Sequence, residues 1–426
     1  MNPADLFPGP IVPPAARAVD AVSSAAVPGS QPIASRRTFL GCAAAATAAV
    51  PMAAAPAGGF AGGGERLRVG LVGCGGRGTG AALQAAASNP AVRIVALGDV
   101  FADQVESAAE QFVRRAGTQF ECPPSQRFVG ADAFRGVIGG DVDLVILAGP
   151  PHVRPLHLEA VVAAGRHVYC ERPVAVDVAG VVRAAAAAAR GRAAGLALVS
   201  GFCSRRDETT RELVARIHAG EIGRPLELHA HAAIGLPWRQ PAQTGDSAAA
   251  WRQRNWISFT SLSGGHLVEH HVDAIDRALW VLGDVAPRSA EAVATAAGVD
   301  AGAIGDCAAS TVVRYQFADG VTFEASIDRR QRVRDRRIEQ VVGPKGRCDL
   351  VRGVVGAVAA GAVPGGPGRH QAAMDGLVGA VLAGRAVHDG ATMCLSTLVA
   401  IMGRTAAERR GRIAWDEFVG SALPPA

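Results

Sequence analysis

A chain of 426 residues, 49% apolar, has material for two hydrophobic cores, and its formal charge of +5 is a small surplus spread along the chain. No basic stripe interleaved with aromatics is present, which argues against nucleic acid as a partner. Lys345 is the only lysine, so arginine carries every other strong cation.

In chain order, Ser35-Arg-Arg-Thr-Phe-Leu-Gly41 comes first and reads as a twin-arginine export signal. The Ala-rich apolar stretch after it runs for about fourteen residues, too short for a stable membrane span. Ala55-Pro-Ala57 offers a small-x-small cleavage site. Residues 1–57 are therefore expected to be signal and leader and 58–65 a linker, with a periplasmic mature protein free of membrane spans. Cys42 precedes the apolar stretch, which rules out a lipobox. The seven later cysteines contain no Cys-x-x-Cys pair, so buried thiols are expected and no metal.

The apolar run Leu67–Val72 enters Gly73-Cys-Gly-Gly-Arg-Gly78 and then a helical stretch. Gly73, Gly75 and Gly78 form a Gly-x-Gly-x-x-Gly fingerprint in strand–turn–helix context. It permits a tight turn, close approach of a pyrophosphate, and helix-on-strand packing. Gly76 and Arg77 sit inside the same turn and join the expected cofactor set, with phosphates at a helix N-terminus. A second strand ends at Gly98-Asp99, where a carboxylate can accept hydrogen bonds from both ribose hydroxyls, so NAD is expected and NADP disfavoured. Asp143–Ala148 reads as a strand buried on both faces, broken by Gly149-Pro150, which complete the expected cofactor edge. A helix then runs to the capping Gly165, His167–Cys170 leads into Glu171-Arg172-Pro173, an Ala-rich helix covers 181–190, and Leu196–Ser200 gives a sixth parallel strand. Residues 66–201 thus predict an α/β Rossmann domain with a doubly wound parallel sheet.

Residues 202–426 read differently. Leu228, Ala230 and Ala232 alternate with Glu227, His229 and His231, so the histidines share a face with Glu227 that either lines a pocket or is solvated. Val313, Tyr315 and Phe317, the turn Asp319-Gly320, and Val321, Phe323, Ala325 and Ile327 spell an antiparallel hairpin. An α+β domain with a large, mostly antiparallel open sheet is expected, helices covering one face. Its other face predicts a homo-oligomer, dimer or tetramer. Helices near 371–383 and 392–408 are expected to pack back on the body.

With the fingerprint, Glu171-Arg-Pro173 and Gly264-Gly-His-Leu-Val-Glu-His-His-Val-Asp-Ala-Ile-Asp276 in view, residues 66 to about 418 resemble the Gfo/Idh/MocA family, and most of all its twin-arginine-exported branch. The resemblance implies NAD(P) in the first domain and a sugar or cyclitol against the second domain's sheet. Its signature of Glu-Lys-Pro and of Asp, His and Asp on one helix is changed here. Arg172 stands for the Lys, Glu269 for the first Asp and Asp273 for the His, while Asp276 is kept. Glu171 and Arg172 fall at the cofactor edge as well, and Arg205 matches a family arginine near the pocket.

Oxidising a carbinol moves hydride to nicotinamide while a base takes the hydroxyl proton. Arginine stays protonated, so Arg172 can orient a hydroxyl or steady an alkoxide but cannot accept the proton. Asp273 is the expected base, with Arg172, Glu269 and Asp276 beside it and Arg205 and His270 toward the substrate. Glu269, Asp273 and Asp276 are spaced i, i+4, i+7 and are expected on one helical stripe, a pocket or a solvated polar face. His271 falls on the apolar side as a core histidine, and His266-x-x-Glu269-His270 also spells a zinc-binding pattern without an evident third ligand. Three functions fit: an exported NAD-dependent oxidoreductase acting on a sugar, cyclitol or glycoside; a NAD-assisted glycoside hydrolase; and a non-catalytic binding homologue.

Overall fold

The computed structural model describes residues 66–296, 304–329, 335–355, 358–359 and 368–420. The expected leader and linker lie outside the described residues. Six parallel strands form the first sheet: β1 (Leu67–Val72), β2 (Val92–Asp99), β3 (Arg127–Val129), β4 (Leu144–Leu147), β5 (His167–Cys170) and β6 (Leu198–Ser200). Their order is β3-β2-β1-β4-β5-β6, the doubly wound pattern whose crevice opens at the carboxyl ends of β1 and β4. All four residues of β4 are buried, as its unbroken Leu-Val-Ile-Leu run requires of a strand covered on both faces.

Between these strands run α1 (Gly76–Ser88), α2 (Ala102–Arg115), α3 (Ala133–Gly139), α4 (Arg154–Ala163) and α5 (Val178–Ala193). Helix α1 turns Gly78, Ala81, Ala82, Ala85 and Ala86 inward, small residues that let it lie close to the sheet.

The second sheet has nine strands among the described residues, its outer ones being β12 (Gly346–Asp349), β13 (Val354–Val355), β14 (Val358–Ala359) and β15 (Arg412–Ala414), in the order β14-β13-β12-β11-β7-β10-β9-β8-β15. At its centre are β7 (Glu227–Ile234), β8 (Ser289–Ala296), β9 (Ser310–Gln316), β10 (Thr322–Arg329) and β11 (Arg336–Gly343). Pairing is antiparallel except between β10 and β7. The expected hairpin joins β9 to β10, with Tyr315 opposite Phe323, their rings stacked at 5.6 Å, and Asp319 and Gly320 in left-handed conformations at φ 56° and 75°. Helices α6 (Glu208–His218), α7 (Ala248–Arg254) and α8 (Gly265–Val281) follow the first sheet, and α8 lies on the second sheet through Leu267, Val268, Val272, Ile275 and Leu279.

The two late helices are α9 (Arg369–Leu382) and α10 (Gly390–Arg409). Helix α9 packs on α1, and its Met374, Leu377, Val378 and Val381 share a core with the alanines of α1. Ser88 donates to Asp375 at 2.7 Å across that contact. A mature protein free of membrane spans is the expectation from sequence, and α10 is the described helix that bears on it. Its 20 residues reach spanning length and hydropathy, yet 78% of its most apolar window is buried inside the protein, the position of a core helix. The seven later cysteines are buried and free.

Candidate active site

The glycine turn between β1 and α1 forms one wall of a cleft of about 460 Å³. Gly73 has φ 95°, and a Cβ there would collide with the Gly149 amide. A Cβ on Gly78 would strike the Gly73 carbonyl oxygen, so only glycine lets α1 start this close to β1. Gly75 and Gly76 face open space instead, nothing lying nearer the Gly75 side than Gln104 Oε1 at 3.9 Å. Gly75 caps α1 without a side-chain acceptor, leaving the first-turn N–H groups of α1 directed at the cleft.

Asp99 ends β2 on the rim of this cleft, with Pro150 opposite. Its carboxylate accepts the Cys74 amide at 2.7 Å and the Phe101 amide at 3.0 Å, which fix its direction, while burial pushes its pKa up against those donors. Gly149 lies behind Gly73, and its carbonyl accepts Arg154 Nη2 at 2.5 Å. These residues fit a dinucleotide: a cradle that any Cβ would fill, an uncapped helix start for phosphate, and an acid where a ribose would lie.

Sequence reasoning missed the opposite wall, made by Trp238, Gln240, Gln253, Arg254 and Trp256 from the second half of the chain. Arg254 stacks 3.8 Å from the Phe101 ring and donates to Asp103 of α2 at 2.9 and 3.0 Å. No spacing marks this segment; only the pairing of a cation with an acid more than a hundred residues away reveals it.

Arg77 turns away from the glycine backbone and pairs with Glu171 at 2.5 Å, also reaching the Tyr169 hydroxyl at 3.1 Å. Glu171 is buried, and Gly201 leaves the space it occupies, since a Cβ there would strike its carboxylate. Burial raises the Glu171 pKa, but Arg77 and Arg172 outweigh it and hold the group ionised.

Arg172 follows β5 and reaches helix α8. Its Nε lies 3.0 Å from Asp273 Oδ2, its Nη1 donates to the Glu269 carbonyl at 2.7 Å, and Nη1 is 3.5 Å from Glu269 Oε1. Burial would raise the Asp273 pKa, yet Arg172, Arg277, Arg369 and Arg337 together bring it below the usual carboxylate range. Glu269 behaves oppositely. Burial pushes its pKa up to about 7, against the pull of Arg172 and Arg154, and its Oε2 is buried with no hydrogen-bond partner among the described residues. His270 Nε2 is also buried and unpartnered, and burial beside Arg329 keeps that imidazole neutral.

The expected stripe is divided along its length. Asp276 lies about 10 Å further along the helix axis than Glu269. It is 1% exposed and accepts from Arg205 Nε at 3.0 Å and from Ser396 at 2.7 Å. Arg205 is shared between Asp276 and Asp284 and lies 5.4 Å from the Trp280 ring, so its donors are taken up within the protein. The structure thus brings Arg172, Glu269, Asp273 and His270 together and sets Arg205 and Asp276 apart as a buried pair.

His271 bonds the Ala230 carbonyl at 3.2 Å as a satisfied core side chain, its pKa lowered by burial to about 4. The His266 and His270 rings lie 5.6 Å apart, and among the described residues no group of three His, Cys, Asp or Glu side chains is placed to hold a metal ion. His229 pairs with Glu227 at 3.5 Å on the exposed sheet face, and His231 bonds Ser326 at 2.8 Å.

Residues 67–196 match the Gfo/Idh/MocA oxidoreductase family, NAD-binding Rossmann fold. Over those residues the chain is similar to the NAD-binding Rossmann domain of that family. Inositol 2-dehydrogenase 4 of Saccharopolyspora erythraea is 35% identical over 175 residues, covering 41% of this chain and 47% of that protein. An inositol 2-dehydrogenase of Burkholderia lata is 32% identical over 166 residues, 38% of this chain and 44% of that one. The chain spans about half the length of the curated relatives it matches. The fold likeness extends further. A scyllo-inositol dehydrogenase from Lactobacillus casei, solved with NAD(H) and scyllo-inositol, superposes with TM-score 0.61 over 82% of this chain and 99% of its own at 16% identity. The likeness extends to the fold of the second sheet, and residues 67–196 match a family described as an NAD-binding Rossmann fold.

Proposed function

We propose that the protein is a NAD-dependent oxidoreductase that moves hydride to or from a ring carbon of a sugar or cyclitol, with Glu269 as the proton-accepting group. The observation that carries this is the Glu269 carboxyl: buried, one oxygen free, and poised near neutral pH beside a fixed guanidinium. NAD, when bound, supplies the hydride acceptor. Gly73, Gly75, Gly76 and Gly78 would hold its phosphates and Asp99 its ribose. Arg172 holds the hydroxyl and steadies the negative charge that develops as its proton leaves. Asp273, expected as the base, instead balances Arg172 as a standing carboxylate.

The test is NADH formation by wild type and Glu269→Gln over a panel of inositols, aldoses and glycosides. Wild type should turn over at least one and Glu269→Gln should lose about a hundredfold or more of the rate. A wild type inactive on the whole panel favours the non-catalytic binding homologue. A glycoside consumed with no net NADH favours the NAD-assisted hydrolase.

We also propose that residues 1–57 direct export by the twin-arginine route to the periplasm, supported by Ser35-Arg-Arg-Thr-Phe-Leu40 ahead of a short apolar run. The reading includes a dimer or tetramer formed over the outer sheet face, where Val293 is 47% exposed. Domain boundaries at 66–201 and 202–426 belong to the same proposal.

A further inference from the structure

Between α6, α8, β11 and the start of α9 lies a polar cavity of about 420 Å³. Four arginines line it: Arg277, Arg337, Arg352 and Arg369. Its acids are already engaged. Glu339 pairs with Arg277 at 2.5 Å, and Asp207 accepts the Thr210 amide and hydroxyl at 2.9 and 2.7 Å as the cap of α6. Arg352 has a neighbouring acid, Asp349, at 3.7 Å. Arg337 and Arg369 have no ion-pair or hydrogen-bond partner among the described residues. Two guanidiniums therefore line one cavity with no acid paired to either, an arrangement open to an anion.

The cavity backs onto the reaction centre. Arg277 stands one helical turn beyond Asp273 on α8, and Arg277, Arg337 and Arg369, all lining the cavity, are near enough to act on the Asp273 carboxylate. We propose that this cavity is an anion-recognition subsite, taking the carboxylate or phosphate of an acidic sugar whose ring lies toward Asp273. The guanidinium fork matches both groups, and a neutral sugar would leave both arginines unmatched. The sugar half of this proposal rests on the oxidoreductase reading; the anion half does not.

The test is calorimetry on the NAD-loaded protein with inorganic phosphate, glucuronate, glucose 6-phosphate and glucose. At least one acidic ligand should bind about tenfold or more tightly than glucose, and the stronger of glucuronate and glucose 6-phosphate tells carboxylate from phosphate. Arg337→Gln and Arg369→Gln, both exposed positions and so compatible with folding, should each weaken that ligand about tenfold and leave glucose unchanged. Glucose binding as tightly as the acids, or acid binding that survives both substitutions, overturns the subsite. Acid binding lost in both variants, without NADH from any sugar acid or from any member of the neutral panel, keeps the subsite and removes the oxidoreductase reading.

Discussion

Two carboxylates one helical turn apart have opposite fates because one arginine treats them differently. Arg172 spends its Nε on the Asp273 carboxylate but its Nη1 on the Glu269 main-chain carbonyl, leaving the Glu269 carboxyl at 3.5 Å with a free oxygen. Spacing on a helix shows that both can approach one partner, not which atoms that partner selects, so the sequence favoured Asp273. Asp273→Asn should therefore leave NAD affinity near wild type and weaken the ordering of Arg172. A tenfold or larger loss of turnover is expected, with the pH profile retained. The sign of the Glu269 shift has a stability consequence. Its carboxyl moves from an ordinary 4.5 up to about 7 in the folded state, so between those values the native protein holds the extra proton and stability falls as pH rises. Glu269→Gln should melt higher than wild type at about pH 8 and at the same temperature at about pH 4. The Arg205–Asp276 pair was legible as charged residues but not as a closed pair, because Asp284 and Ser396 reach it from other elements. Arg205→Ala would strand a buried carboxylate and should cost about 3–5 kcal/mol in urea unfolding.

At the scale of elements, the glycine turn was legible almost residue by residue, since backbone collision allows few alternatives. Gly78→Ala should push α1 off β1 and lower NAD affinity by an order of magnitude or more, measured by nicotinamide fluorescence. Asp99 was legible from its distance past the glycines. Asp99→Ala should narrow the preference for NAD over NADP, compared in the same titration. Less visible was α9, whose loosely apolar face gives a helix but not its seat; only the tertiary fold places Met374 and Leu377 on the small face of α1. The parallel pairing of β10 with β7 was equally hidden, because alternation specifies a face and not a neighbour.

On the scale of the whole molecule, two halves of the chain meet over one cleft. The first supplies the cofactor cradle from local motifs and the second the wall around Arg254, while Glu269 and Asp273 meet Arg172 of the first half through contacts that only the fold assembles. The class of fold was therefore readable from sequence, whereas the chemistry at its centre depends on which buried carboxyl keeps its proton. The most direct test is the pH dependence of kcat/KM for NADH formation on whichever substrate the panel yields. With Glu269 as base, the wild-type rate should climb about tenfold per pH unit and level off near its pKa of about 7, and Glu269→Gln should be slow and flat. A Glu269→Gln enzyme that keeps the wild-type rate and the same inflection would contradict the account.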